Sequence, residues 1–479
     1  MKILRAGLFI FALLCLSVSS SSAPVFADEC YNLENIPGPK GAAVEAGGLC
    51  FMPDGTLMLS TRLGEVWAMS PRSSQKEGHA AKAPEWHLFA SGLHEPLGIC
   101  AGDNGDVYVL QRPELTRLKD TTGKGSADLY ETVCDNWGLI GFETEYSFGL
   151  VRDKAGNFWG ALAHNWDNSP QMLYRGWSFK ITPGGEFIPW SLGLRVADGV
   201  GLDMDGEVFM TDNQGEWFGA SALHHITKDA FHGCPWFIQK YDKYKDVKAV
   251  PDELEKYRKL PAIQFPYDRL SRSPTQPLWD TTVGKFGPFA GQMFVGDHTN
   301  PVIVRVALEK VDGEYQGACF PFFTKVKRGN HRLAFAPDGS LYIGQTARGW
   351  LGNGNEGIQR LSWTGKMPFE IQTVALTADG FELQFTVPVD PVTAGKTENY
   401  ALEHFYYYYH EQYGSPEVEL TPVAVKEVKI SEDHKCVRLV LPELKTRRIY
   451  ALSLPIVRSE DGRTLHNSSA YYTLNRKLK

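Results

Sequence analysis

A segment of about fifty residues recurs six times along the chain, and no other feature restricts its fold as much. In each copy a short apolar run, usually opened by glycine, ends in a tight turn and is followed by an alternating segment. The copies are GLCFMPDG at 48–55, GICAGDNG at 98–105, GLVRDKAG at 149–156, GVGLDMDG at 199–206, a shortened GPFAG at 287–291, and RLAFAPDG at 332–339. Their turn glycines, Gly55, Gly105, Gly156, Gly206, Gly291 and Gly339, are spaced by 50, 51, 50, 85 and 48 residues. Strand, glycine turn and second strand form the inner hairpin of a four-stranded blade. Blades closed into a ring leave little exposed sheet edge. The pattern therefore predicts an all-β chain with a six-bladed β-propeller within residues 28–366. The 85-residue interval predicts an insertion near 235–272, with a short helix at 252–259, placed to cap or narrow one mouth.

Past Trp363 the repeat stops, and FELQFT at 381–386, VRLVL at 437–441 and YALSL at 450–454 alternate like half-buried strands. Residues 367–479 are thus expected to form a second all-β unit. FTVPVD at 385–390, NYAL at 399–402 and the strand leading to Asp461 and Gly462 resemble bacterial immunoglobulin-like domains of the surface-layer type. That resemblance implies an immunoglobulin-like β-sandwich used as a spacer or docking surface. The run FYYYY at 405–409 is either a sugar-stacking platform or a strand with half its rings in the core.

The start of the chain carries Lys2 and Arg5, an apolar run over 8–18, and Val25, Phe26 and Ala27 as a cleavage site. This is the pattern of a signal peptide over 1–27, so a secreted or periplasmic protein is expected. Leu14 before Cys15 argues against a lipid anchor, and no later stretch reaches the ~18 apolar residues of a membrane helix. The net charge of −7 gives no general attraction for nucleic acid or an anionic membrane, so any anion site must be local. Seven cysteines follow Cys15, too few for a disulfide scaffold and odd in number. No Cys-x-x-Cys-His haem motif or zinc-type Cys/His pairing is present, and His224, His225 and His298 lack suitably spaced partners.

LHEPLG at 93–98, LGLR at 192–195, GVGL at 199–202 and RLAFAPDG at 332–339 resemble the soluble quinoprotein sugar dehydrogenases, along the whole propeller. GPFAGQMFVG at 287–296 and QTARGW at 345–350 are similar to exported dehydrogenase-like propellers of environmental bacteria. The resemblance implies pyrroloquinoline quinone and calcium at the propeller mouth, oxidation of a sugar or sugar alcohol, and a separate soluble electron carrier. In that family the cofactor is held by residues just before the innermost strands. The matching positions here are Glu45; His94 and Glu95; Glu145 and Tyr146; Arg195 and Asp198; Lys285; and Arg328, His331 and Arg332.

Convergent charges of this kind mark a ligand site, or else a rim of mutually paired groups. Arg195, Lys285, Arg328 and Arg332 supply the cations that quinone carboxylates require. Glu95, Glu145, Asp198 and His331 complete the rim. Asp212 and Asn213 offer oxygen ligands for calcium, with Trp217 beside them as a sugar-stacking ring or an ordinary packed one. The family's catalytic histidine, preceded by aspartate, corresponds to Tyr146 preceded by Glu145. A phenol with a pKa of about 10 is a poor base at neutral pH, which leaves His94 or His164 for that role. DTTGKGSAD at 120–128, with Glu131, has calcium-loop spacing, but Lys124 at a ligand position favours a plain hairpin loop. Two functions follow: a quinoprotein dehydrogenase, or a non-catalytic propeller that binds a carbohydrate or a protein.

Overall fold

The computed structural model describes residues 26–27, 29–71, 84–164, 172–236, 238–349 and 351–478. The charged and apolar parts of the expected signal peptide, and Asn165, Trp166 and Asp167 after His164, lie outside them.

The axis of the molecule is lined by glycine, and that explains the repeat. The inner strands Ala46–Phe51, Gly98–Ala101, Ser147–Arg152 and Gly199–Leu202 carry Gly48, Gly98, Gly149 and Gly199 into the central channel. A β-carbon on Gly98 would stand 2.3 Å from the Gly149 carbonyl oxygen, and one on Gly199 would stand 2.4 Å from that of Thr275. No side chain fits at those positions, so neighbouring inner strands converge where glycine recurs. Each inner strand packs on the next, and that of the sixth blade packs on the first.

Blades one to three are each one four-stranded antiparallel sheet built from consecutive strands, ending with Trp86–Ala90, Leu129–Cys134 and Phe187–Leu192. In the fourth, the insertion separates Ala222–Ile226 from the short outer strand Ile263–Gln264. It thus occupies residues 227–262 rather than 235–272, and its helix is the single turn Pro251–Leu254. The insertion packs on the end of the third blade's outer strand: His232 and Cys234 donate backbone hydrogen bonds to the Leu192 and Gly193 carbonyls.

The fifth blade departs from the sequence reading. Its inner strand is Pro274–Trp279, and residues 280–292 form a long hairpin loop before Met293–Asp297. The GPFAG segment therefore lies in that loop and not in the inner strand. The sixth blade takes Asn330–Phe335, Leu341–Gln345 and Gly357–Trp363 from the end of the propeller, and Tyr31–Ile36 from the start of the chain. Tyr31 to Ile36 pair antiparallel with Trp363 to Ile358, which joins the two ends of the propeller.

Beyond the propeller, one sheet comprises Ile371–Thr377, Gly380–Phe385, Cys436–Val440 and Glu427–Ile430. A second holds Ser469–Leu474, Arg448–Ser453, Ala401–Tyr406 and Val418–Pro422. The two share a core that includes Phe381, Leu439, Tyr450 and Tyr472. The second sheet continues the fifth blade, because Gly317, Ala318 and Cys319 pair with Thr473, Tyr472 and Tyr471, and eight strands form one sheet. In the tyrosine run, Phe405 and Tyr407 are buried while Tyr408 is exposed.

Arg305 ties the fifth blade to this unit. Its buried guanidinium lies between Phe289 and Phe320 and donates to the carbonyl oxygens of Ile371 at 2.5 Å and Gln372 at 2.7 Å. Arg305→Ala leaves both carbonyls without that donor and opens a cavity. It is expected to lower the unfolding free energy by about 3 kcal/mol, read from the urea midpoint. An unchanged midpoint would show that this joint adds no stability.

Candidate functional site

The mouth is the end where the first strand of each blade begins and the second ends, as in the pairs Ala46 with Thr61, Gly98 with Leu110 and Asn330 with Gln345. Residues after second strands therefore stand beside those before first strands. Much of the charge gathered there holds the fold together. Asp212, at the end of its strand, accepts the backbone N–H groups of Arg195 and Val196, each at 2.7 Å. Burial raises its carboxyl to about 6 against the lowering effect of those amides. Asp297 in the fifth blade does the same for Arg272 and Ser273, and the Gln111 side-chain oxygen for His94. Glu45 accepts from the Ala347 amide at 2.9 Å and from the Thr346 hydroxyl. Glu145 accepts the amides of Ile140, Gly141 and Phe142 at 2.9–3.1 Å.

Several residues expected to bind ligand prove to be engaged internally. Arg332 lies in the channel that the four glycines vacate. Its guanidinium donates to the carbonyls of Gly47 and Leu97, each at 2.9 Å, and of His331 at 2.8 Å, and it pairs with Asp198 at 3.4 Å. His331 bridges the Ala46 carbonyl at 2.7 Å and Asp198 at 3.0 Å. The channel retains about 10 Å³, at most one water. Arg195 is paired with Glu216 at 2.9 Å and donates to the Gln214 carbonyl at 3.1 Å. Lys285 sits in the 280–292 loop at the opposite end of its blade and donates to the Pro337 carbonyl, because the inner strand precedes it. Trp217 is a core residue packed on Tyr409. His164 is buried beside Trp236, close under Gly176. Arg328 and His94 are exposed.

Of the two expected calcium ligands, Asp212 is engaged by backbone, whereas the Asn213 side-chain oxygen is buried with no hydrogen-bond partner among the described residues. Both Asp212 oxygens are taken by amides, and among the described residues no three His, Cys, Asp or Glu side chains group as metal ligands. In the 120–128 loop the Asp120 carboxylate accepts amides of Thr122, Gly123, Lys124 and Gly125, as in a plain hairpin loop. All seven cysteines among the described residues are free thiols.

Glu95 and Tyr146 do come together, with three arginines that the sequence reading missed. Arg62 reaches the Glu95 carboxylate at 2.5 Å, Arg112 at 2.6 Å and Arg348 at 3.2 Å. The guanidinium carbons of Arg112 and Arg62 lie 4.5 and 5.3 Å from the centre of the Tyr146 ring. Each arginine follows the second strand of its blade, in the first, second and sixth blades. That shared position is the signal that would have found them. Burial raises the Glu95 carboxyl, but Arg62 and then Arg112 more than offset it and hold it below the ordinary value. Glu95 has a φ of 46°, a left-handed conformation uncommon for non-glycine residues, and such outliers gather at functional sites. Among the described residues three guanidinium groups pair with this one carboxylate, two more positive charges than negative in the cluster, and Arg348 is 40% exposed.

No protein-family model and no curated protein matches the sequence. Among solved structures, a putative oxidoreductase (glucose dehydrogenase) from Thermus thermophilus superposes with a TM-score of 0.50 at 17% identity, covering 69% of this chain and 99% of that one. The holo form of the PQQ domain of pyranose dehydrogenase from Coprinopsis cinerea gives 0.50 at 11% identity, covering 71% and 97%. At these identities the likeness establishes the propeller fold.

The Asp198 group yields a pH prediction. Burial pushes its carboxyl up, but His331 and then Arg332, by charge and hydrogen bonding, hold it well below the usual range. A carboxyl depressed in the folded state contributes stability above its unfolded value of about 3.9, and that stability is lost as pH falls below it. Asp198→Asn leaves Arg332 buried without its counter-charge and is expected to cost about 3 kcal/mol at pH 7. The gap to wild type should narrow below pH 4 in urea titrations. A gap independent of pH would contradict the assignment.

Proposed function

We propose that the chain is a carbohydrate-binding propeller whose mouth holds the carboxylate of an acidic sugar without oxidising it. The observation that carries this reading is the convergence of Arg62, Arg112 and Arg348 on Glu95 over Tyr146, with two positive charges in surplus. Guanidinium forks match carboxylates in geometry as well as charge. The sugar is supported by the fold, shared with proteins described as glucose and pyranose dehydrogenases. Four of the residues assigned to pyrroloquinoline quinone and calcium, Arg332, Arg195, Lys285 and Asp212, do not fit that pair. Arg332 and Arg195 are spent on protein partners, Lys285 lies at the far end of its blade, and the Asp212 oxygens are occupied by amides. Tyr146 stands where a base is required and carries two arginines over its ring.

A quinoprotein dehydrogenase is the second reading, favoured by His94, exposed next to Glu95 and available as a base. It would use pyrroloquinoline quinone and calcium and pass electrons to a separate carrier. On either reading the protein is exported, supported by the charge, apolar run and small residues of positions 1–27. The second all-β unit, on its immunoglobulin-like resemblance, is a docking module.

Calorimetric titration with glucuronate and glucose separates the readings. Glucuronate is expected to bind and glucose to bind at least tenfold more weakly. Arg348→Ala, which removes an exposed fork, should weaken glucuronate about tenfold, or 1.4 kcal/mol, with an unchanged melting temperature. Equal affinity for the two sugars would overturn the proposal. Dye reduction with a neutral sugar in the presence of pyrroloquinoline quinone and calcium would establish the dehydrogenase instead.

A further inference from the structure

Away from the mouth, a cleft of about 840 Å³ opens between the fourth-blade insertion, the fifth blade and the end of the chain. Arg258, Lys259, Arg447, Arg476 and Lys477 line it, with Glu314 as its acidic residue. A second cleft of about 300 Å³ adjoins it, sharing Arg258, Leu260, Arg447 and Asn475, and adds Arg448 and the tyrosines at 406–409. The two make one groove whose walls come from both all-β units.

Cations and rings alternate along this groove. Arg258 lies 3.9 Å from the centre of the Tyr409 ring, and Arg448 lies 4.2 Å from that of Tyr406. Tyr257 and Tyr408 are 42% and 46% exposed. Four cations have carboxylate partners: Arg258 and Arg447 share Glu255, Lys259 meets Glu314, and Arg448 meets Glu419. Arg476 and Lys477 are exposed and form no ion pair among the described residues. In a chain of net charge −7 this is a local reversal of sign.

We propose that the groove binds an anionic polysaccharide, a chain of uronic or sulfated sugars. Exposed tyrosine faces take sugar rings, while Arg476 and Lys477 take the acidic groups. Asp252, Glu255 and Glu314, interspersed with the cations, accept sugar hydroxyls. The same carboxylates disfavour nucleic acid, whose closely spaced phosphates need a continuous run of cations. The site is independent of the mouth and shares no residue with it.

Full-length protein titrated with polygalacturonate and with dextran sulfate distinguishes carboxylate from sulfate as the acidic group. Neutral dextran and a DNA duplex serve as comparators. At least one acidic polymer is expected to bind tenfold or more tightly than dextran or DNA. Arg476→Ala with Lys477→Ala should weaken it at least tenfold, and Tyr408→Ala at least threefold, with melting temperatures within a degree or so of wild type. Failure of both acidic polymers, equal binding of DNA, or full binding by the double variant would overturn the proposal.

Discussion

A single guanidinium in the propeller axis is the interaction on which the rest depends. Arg332 stands where the first four blades have Gly48, Gly98, Gly149 and Gly199, and it fills the space that those glycines leave empty. Its hydrogen bonds reach the Gly47 carbonyl within the first inner strand and the Leu97 carbonyl just before the second, and its ion pair reaches Asp198 before the fourth. A buried charge is costly alone and tolerable when every donor is answered. Here Asp198 and the ring of carbonyls answer it, and the inner strands are fixed together at the mouth.

The same logic governs the charges around it. A propeller places the ends of many strands at one rim, where backbone amides would otherwise be unpaired. Asp212, Asp297, Gln111, Glu45 and Glu145 are spent on those amides. Once they and Arg332 are accounted for, the Glu95 cluster remains as the group with surplus charge and a partly exposed arginine. Function is thus read from what the architecture does not consume. The groove at the joint of the two units passes the same test, because the exposed side chains of Arg476 and Lys477 form no ion pair among the described residues.

The repeat was legible in the sequence because its determinants are local: a glycine at the axis, a glycine turn, and alternation between them. The fifth inner strand was hidden, since Pro274 and Pro277 read poorly as strand and a thirteen-residue loop replaces its turn. The closing strand Tyr31–Ile36 was missed because its partner strand, Gly357–Trp363, lies at the far end of the propeller sequence. Charge at the mouth was visible, but its meaning was not. Whether Arg332 holds a ligand or a carbonyl depends on which distant groups face it, and sequence neighbours do not determine that. The cluster of Arg62, Arg112 and Arg348 was overlooked for a geometric reason, as attention to strand starts misses the antiparallel neighbours at strand ends.

Glu95 thus acts as a resident carboxylate, occupying arginines that a ligand's carboxylate engages. The most direct measurement is the glucuronate affinity of Glu95→Gln against wild type, with the melting temperature of each followed as glucuronate is added. Removing the resident charge releases Arg62 and Arg348 and one fork of Arg112, whose other nitrogens hold the Phe142 and Glu143 carbonyls, so the variant is expected to bind more tightly and its melting temperature to rise more steeply with glucuronate. Weaker binding by Glu95→Gln, or an affinity equal to that of wild type, would contradict it.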